Sequence, residues 1–263
     1  ATPEVTPGKL VTLFGVVPKD RTTTTIRTIE AQYAQIKKMT STKDLPQKIG
    51  LYVFNDRPSF VEFARSVENR DVEATEQGSV NLNDSEPYIA VIDPLGGREG
   101  SATPSPKKGR SKRGGDDSGG LDRSLAGILT DYLANGTVRR SEKAPLWLGY
   151  GLGAHFASRV DPRSPFAGRL KRNLFEQIEL GWVSKANDAL GGDAKSEDIR
   201  AVGYGIVEAV LGDPRSRPVS TDFFSGMSSE GGDKLDDVLQ NVLHMTRQEF
   251  LAWTNEYIAS PGQ

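Results

Sequence analysis

The chain is predicted to be α+β: a small N-terminal mixed sheet with flanking helices, followed by a helical C-terminal part. Three observations carry this. Residues 1–95 alternate β-branched apolar runs with stretches of helical periodicity. Residues 96–120, GGREGSATPSPKKGRSKRGGDDSGG, contain no large apolar side chain. Residues 121–263 return to helical spacing. The organisation expected is an α/β part over 1–95, a flexible basic insertion over 96–120 and a helical part over 121–263.

Taken in order, residues 10–17 form an apolar run suited to a first strand. Ile26, Ile29, Tyr33, Ile36 and Met39 recur at helical spacing, which predicts an amphipathic helix over 22–40. Residues 49–54, IGLYVF, read as a strand ended by Asn55-Asp56. Pro58 suits the first turn of the next helix, where its missing N–H is not needed, and Phe60, Phe63, Ala64 and Val67 give that helix an apolar stripe. Residues 87–93, PYIAVID, supply another strand. The segment 96–120 cannot bury enough surface to offset its ordering entropy. Its Lys107, Lys108, Arg110, Lys112 and Arg113 form a basic cluster without interleaved aromatic residues. A solvated linker is the favoured reading of that cluster. A weak nucleic-acid or anionic-polymer contact is the alternative.

Beyond it, Leu121, Leu125, Leu129 and Leu133 define a helix expected to end at Asn135-Gly136. Pro145 opens another. Its Gly149, Gly151 and Gly153 fail the spacing of a nucleotide-binding loop and have no strand before them, so close helix packing is the better account. Further helices are marked by Leu170, Leu174 and Ile178, by Val202, Ile206 and Val210, and by Leu235, Val238 and Val242. Thr246 and Glu249 have the spacing of a capping box and start a last helix through Phe250, Trp253 and Tyr257.

Composition excludes some roles. Hydrophobic residues make up 36% of the 263, enough for a core, and the formal net charge of −2 argues against a globally nucleic-acid-binding or membrane-adsorbing protein. No apolar run approaches a membrane span. The opening ATPEVTPGK is compatible with signal-peptide removal or with an excised segment. The absence of cysteine removes thiolate nucleophiles, thiolate metal sites and disulfides together. No G-x-S-x-G is present.

Residues 121–158 read LDRSLAGILTDYLANGTVRRSEKAPLWLGYGLGAHFAS. This stretch resembles the peptidase-MA-like, thermolysin-related (gluzincin) domains of bacterial extracytoplasmic proteins. These carry L-x-HExxH-x-L on one helix and P-x-W-L-x-E-G-L-A-E-Y-F on the next. Pro145, Trp147, Leu148, Gly151, Leu152, Phe156 and Ala157 match the second motif. LYVFNDRPSFVEFA resembles the family's strand-then-helix opening, and the closing T-x-x-E-F-x-x-W resembles its end. The resemblance covers roughly residues 48–260 and implies a zincin-like fold and a location outside the cytoplasm of a bacterium.

The metal positions do not match. HExxH falls on Gly127-Ile128-Leu129-Thr130-Asp131, and the third-ligand Glu falls on Tyr150. Eighteen residues lie between Asp131 and Tyr150, the spacing of the aminopeptidase-like branch, which supports the register. Gly127 has no side chain to ligate with, Ile128 cannot accept a proton, Asp131 offers one carboxylate and Tyr150 is a poor zinc ligand. No zinc or other cofactor is expected. The two histidines, His155 and His244, offer no substitute: His155 reads as a packed helix residue beside Phe156, His244 as an end-of-helix residue. The function expected is therefore a catalytically inactive peptidase-like domain that holds a peptide or partner protein in a vestigial cleft, with Asp131, Tyr150, His155 and Tyr204 near it. The alternatives are an active zinc peptidase with an atypical site, or a scaffold contacting an anionic partner through the basic insertion.

Overall fold

The computed structural model describes residues 3–45, 47–83, 85–93 and 121–260. The expectations for residues 96–120, including Lys107, Lys108, Arg110, Lys112 and Arg113, fall outside the described residues. Among the described residues the fold is α+β with a mixed sheet of five strands in the order β1-β2-β3-β5-β4. The strands are β1 (Glu4–Pro7), β2 (Val11–Gly15), β3 (Ile49–Phe54), β4 (Gly78–Asn81) and β5 (Tyr88–Ile92). β2, β3 and β5 run parallel, while β1 and β4 pair antiparallel at the two edges.

Alternation along β2 and β3 sends Val11, Leu13, Ile49, Leu51 and Val53 to a buried face. That face meets Ile26, Ile29, Tyr33 and Ile36 of helix α1 (Lys19–Thr40) in one hydrophobic cluster. The other face carries Phe14, Tyr52 and Tyr88. Phe14 stacks on Tyr52 at 4.9 Å, and Phe63 of α2 (Arg57–Val67) packs edge-on to Tyr88 at 5.6 Å. α2 begins where Asn55-Asp56 and Pro58 place it: Asp56 accepts from the Ser59 N–H at 2.8 Å. Arg21 of α1 grips Asp93, just past β5, through two bonds of 2.6 and 2.7 Å in a buried pair.

The second half is helical: α3 (Leu121–Arg139), α4 (Leu146–Val160), α5 (Pro165–Glu179), α6 (Trp182–Gly191), α7 (Ser196–Gly212), α8 (Ser220–Glu230), α9 (Leu235–Val238) and α10 (Arg247–Ala259). α3 is the centre of the molecule. It packs against α1, α4 and the β4–β5 edge, and one hydrophobic cluster runs from the sheet through α3, α4 and α7 to α8 and α10. α4 is buried on nearly every side, which explains its apolar sequence. Its glycines serve close packing. A Cβ on Gly149 would lie 2.6 Å from Asn135 Oδ1, and one on Gly151 would strike the Gly203 carbonyl of α7. α10 starts on the expected capping box, with Glu249 N–H donating to Thr246 Oγ1 and Thr246 N–H donating to Glu249 Oε2.

Four elements escape the sequence pattern. β1 is exposed and β4 is four polar or small residues long. α6 and α8 have short apolar stripes interrupted by polar residues. Asn135-Gly136 does not end α3, which continues to Arg139. The pair faces two close neighbours instead: Asn135 lies on Gly149, and a Cβ on Gly136 would sit 2.5 Å from Val80 Cγ2. The turn chemistry of Asn-Gly loses to packing here. The helix expected across 235–242 is a single α turn, α9, followed by a π turn at Leu239–Leu243. His244 closes it in the left-handed region at φ 55°, its Nδ1 3.2 Å from the Gln240 carbonyl oxygen.

Among the described residues, no helix is long and apolar enough to cross a membrane.

Candidate functional site

A groove of about 690 Å³ runs between the outer strand β4 and the helices α3, α4 and α7. All four residues of β4 form one wall; Tyr132, Asn135, Tyr150 and Arg200 contribute to the other. Two of the positions singled out by sequence meet here. Asp131 on α3 and Tyr150 on α4 both meet one guanidinium, that of Arg200 on α7. Arg200 Nη1 donates to both Asp131 oxygens, at 2.5 and 2.6 Å. Its Cζ lies 4.7 Å from the centroid of the Tyr150 ring. Burial works against the charge on Arg200, but the adjacent carboxylate outweighs it and the pKa is raised. Neighbouring Tyr132 has its pKa raised by burial first and by the Asp131 charge second, so its phenol is neutral.

The helix approach that creates this geometry is written in glycine. A Cβ at Gly153 of α4 would collide with Asp131, leaving only glycine there. α4 thus lies close enough to α3 for Tyr150 to stand over the same cation that Asp131 binds. A Cβ at Gly127 would lie 3.6 Å from the Ala157 carbonyl oxygen and from Asp161 Cβ, in ordinary contact with both. Ile128 is half-buried against the hydrophobic cluster.

The residues present do not fit a zinc ion. Gly127 and Ile128 supply no donor, the Asp131 oxygens are occupied by Arg200, and the Tyr150 ring is covered by it. Among the described residues no three His, Cys, Asp or Glu side chains come together as a ligand set.

His155 and Tyr204 do not line this groove, contrary to the sequence expectation. His155 is five residues beyond Tyr150, about 140° further round α4. Its buried ring points to Glu208 of α7, Nδ1 to Oε1 2.6 Å. An ionised carboxylate only accepts, so Nδ1 carries the hydrogen. Tyr204 lines a second hollow of about 670 Å³ between α5, α7 and α10, with Glu208, Trp253 and Tyr257. Burial, then the Glu208 charge, push the Tyr204 phenol up to about 12, against a hydrogen bond with Ser158.

At the rim of the same hollow, Asp213 is held well below the usual carboxylate range. The Arg215 side chain does most of this, with the Arg215 N–H and Trp253 Nε1 adding to it. A depressed folded pKa contributes stability that is full above the unfolded carboxylate pKa of about 4 and fades as pH falls toward the folded value. Asp213→Asn is expected to cost about 2 kcal/mol at pH 7. That deficit should shrink as unfolding is followed from pH 5 down to pH 3.

Sequence reasoning missed Arg200 and the polar wall beside β4. The one signal for Arg200 was a cation inside the apolar run Ile199–Val210, where a buried charge needs a partner. Glu68, Arg70 and Glu76 gave no signal, because they sit in a polar connection without periodicity. In the fold Arg70 bonds Glu68 at 2.6 Å and Glu76 at 2.5 and 2.9 Å, while Ser79 of β4 and Tyr88 of β5 donate to Glu68.

Comparison of the chain with protein-family models, with curated proteins and with solved structures finds no match.

Proposed function

We propose that this chain is a catalytically inactive peptidase-like domain that holds an extended peptide or a segment of a partner protein in the groove beside β4. The observation that supports it most is the Asp131–Arg200–Tyr150 arrangement. A guanidinium there supplies a fixed positive charge but has no open coordination position for water and no basic lone pair. The groove is thereby suited to holding and not to hydrolysis. The bacterial, extracytoplasmic setting implied by the resemblance is part of the same reading.

The strand β4 supports the holding role. Among the described residues it is the last strand of the sheet, paired on one side only. The Ile92 N–H donates to the Gln77 carbonyl at 2.9 Å. In an antiparallel ladder the alternate residues then turn their N–H and C=O outward, which are Gly78 and Val80. An extended segment can add there as a further strand.

The test is incubation with a pooled library of octapeptides in zinc-containing buffer, with bound and free pools read by mass spectrometry. Saturable retention without new cleavage products is expected. Chelator-sensitive cleavage would overturn the inactive assignment, and no saturable retention would overturn the groove as a binding site.

A further inference from the structure

The hollow between α5, α7 and α10 shares no lining residue with the groove beside β4, and it is built around a carboxylate. The Glu208 side chain is 37% exposed, while the His155 side chain behind it is 4% exposed and bonds Oε1 at 2.6 Å. A surface glutamate normally turns freely in water. Here a buried ring N–H fixes one oxygen, so the charge is held in one orientation and stays open to solvent. A carboxylate has about four acceptor sites, of which the His155 bond uses one.

Two phenols flank this charge. Tyr204, Glu208 and Gly212 stand four residues apart on α7, so they share one face at steps of about 6 Å. Tyr257 of α10 reaches the far end of that row, where a Cβ on Gly212 would strike its hydroxyl. Glu208 therefore lies between the two tyrosines along the helix. The electrostatics agree: after burial, the Glu208 charge is the next cause raising the pKa of both phenols. Both are neutral at pH 7 and offer oxygen lone pairs.

The lining is otherwise largely aromatic and apolar, with Leu174, Trp253 and a half-exposed Phe175. Trp253 is fixed by its Nε1 bond to Asp213 at 2.8 Å. The other charges on the lining balance, two carboxylates (Asp213 and Glu256) against two cations (Lys171 and Arg215). Aromatic rings around an anchored carboxylate attract a cation carried on an apolar body, through charge-assisted hydrogen bonds and the ring quadrupoles. We infer that this hollow binds a small organic ammonium, its charge met by Glu208 between the two phenols and its apolar body laid against the rings. Its volume of about 670 Å³ is that of a small-ligand site. The site is independent of whatever the groove holds.

The experiment follows amide and indole N–H signals of the intact chain by NMR during titration with hexylammonium and with 1-hexanol, the same stem without the charge. Shifts at the Trp253 indole and along α7 and α10 report this hollow. Hexylammonium is expected to bind at least about tenfold more tightly than hexanol. Glu208→Gln keeps a carbonyl oxygen for the His155 N–H and removes the charge. It should abolish that difference while its thermal unfolding stays near the parent's. Equal binding of the two probes by the parent chain, or shifts confined to other regions, would overturn the inference whether or not the variant folds. An undiminished preference in folded Glu208→Gln would overturn Glu208 as the group that meets the charge. An N-acetylated, C-amidated Gly-Gly-Lys-Gly-Gly that binds here more tightly than hexylammonium would overturn the free ligand in favour of a partner protein's lysine side chain.

Discussion

Replacing Arg200 with methionine is expected to destabilise the fold by about 3 kcal/mol, at the lower end of the cost of breaking a buried ion pair. The Asp131 side chain is 10% exposed and Arg200 24%, so the pair is sheltered though not sealed. Without the guanidinium, Asp131 is left as a charge between α3 and α4 with no other cation bonded to it among the described residues, and Tyr150 loses the group that covers its ring. The double variant Asp131→Leu, Arg200→Met removes both charges and should recover most of the loss, because two apolar groups need no partner. Urea unfolding of the two single variants and the double closes the cycle. If the single Arg200 variant is as stable as the parent, the pair does not organise the helices.

Gly203→Ala is expected to cost about 3 kcal/mol or more, although alanine alone favours a helix by about 1 kcal/mol over glycine. A Cβ at Gly203 would strike the Trp147 carbonyl oxygen and lie 3.1 Å from its carbon and 3.2 Å from Gly151 Cα. All three are backbone atoms, so no rotamer change relieves the contact. α4 and α7 would have to separate, carrying Arg200 away from Asp131. Gly168→Ala in α5 is the control, since the nearest atom to a Cβ there is 3.9 Å away at the end of the Arg172 side chain. It should be neutral or stabilising by up to about 1 kcal/mol. Thermal unfolding of both variants separates crowding at one glycine from the ordinary helix penalty at the other.

The α+β layout was legible because its buried elements obey simple periods. α1 repeats apolar residues every three or four positions, β2 and β3 alternate, and Thr246 with Glu249 marks the start of α10. β4 was not legible. Gly-Ser-Val-Asn has no strand signature of its own and is held by pairing with β5 and by α3 lying over it. The Asn135-Gly136 pair misled for the opposite reason: its local preference is a turn, and its tertiary role is to let β4 and α4 approach α3.

The candidate site was legible in part. Motif spacing placed Asp131 and Tyr150 together, and the structure brings both to one cation. It gave no hint that the cation is Arg200, sixty-nine residues beyond Asp131. Nor did it separate His155 and Tyr204 from the groove, since position in the sequence says little about which side of α4 or α7 a residue faces. Long-range charge pairing leaves no period to read.

Calorimetric titration of the metal-free chain with Zn²⁺, beside the Asp131→Asn variant, decides between an arginine-filled site and a metal site. With Arg200 supplying the positive charge between Asp131 and Tyr150, neither protein should show one-to-one zinc binding. Stoichiometric binding by the parent chain that Asp131→Asn abolishes would contradict it, because Asp131 would then be a metal ligand and Arg200 a bystander.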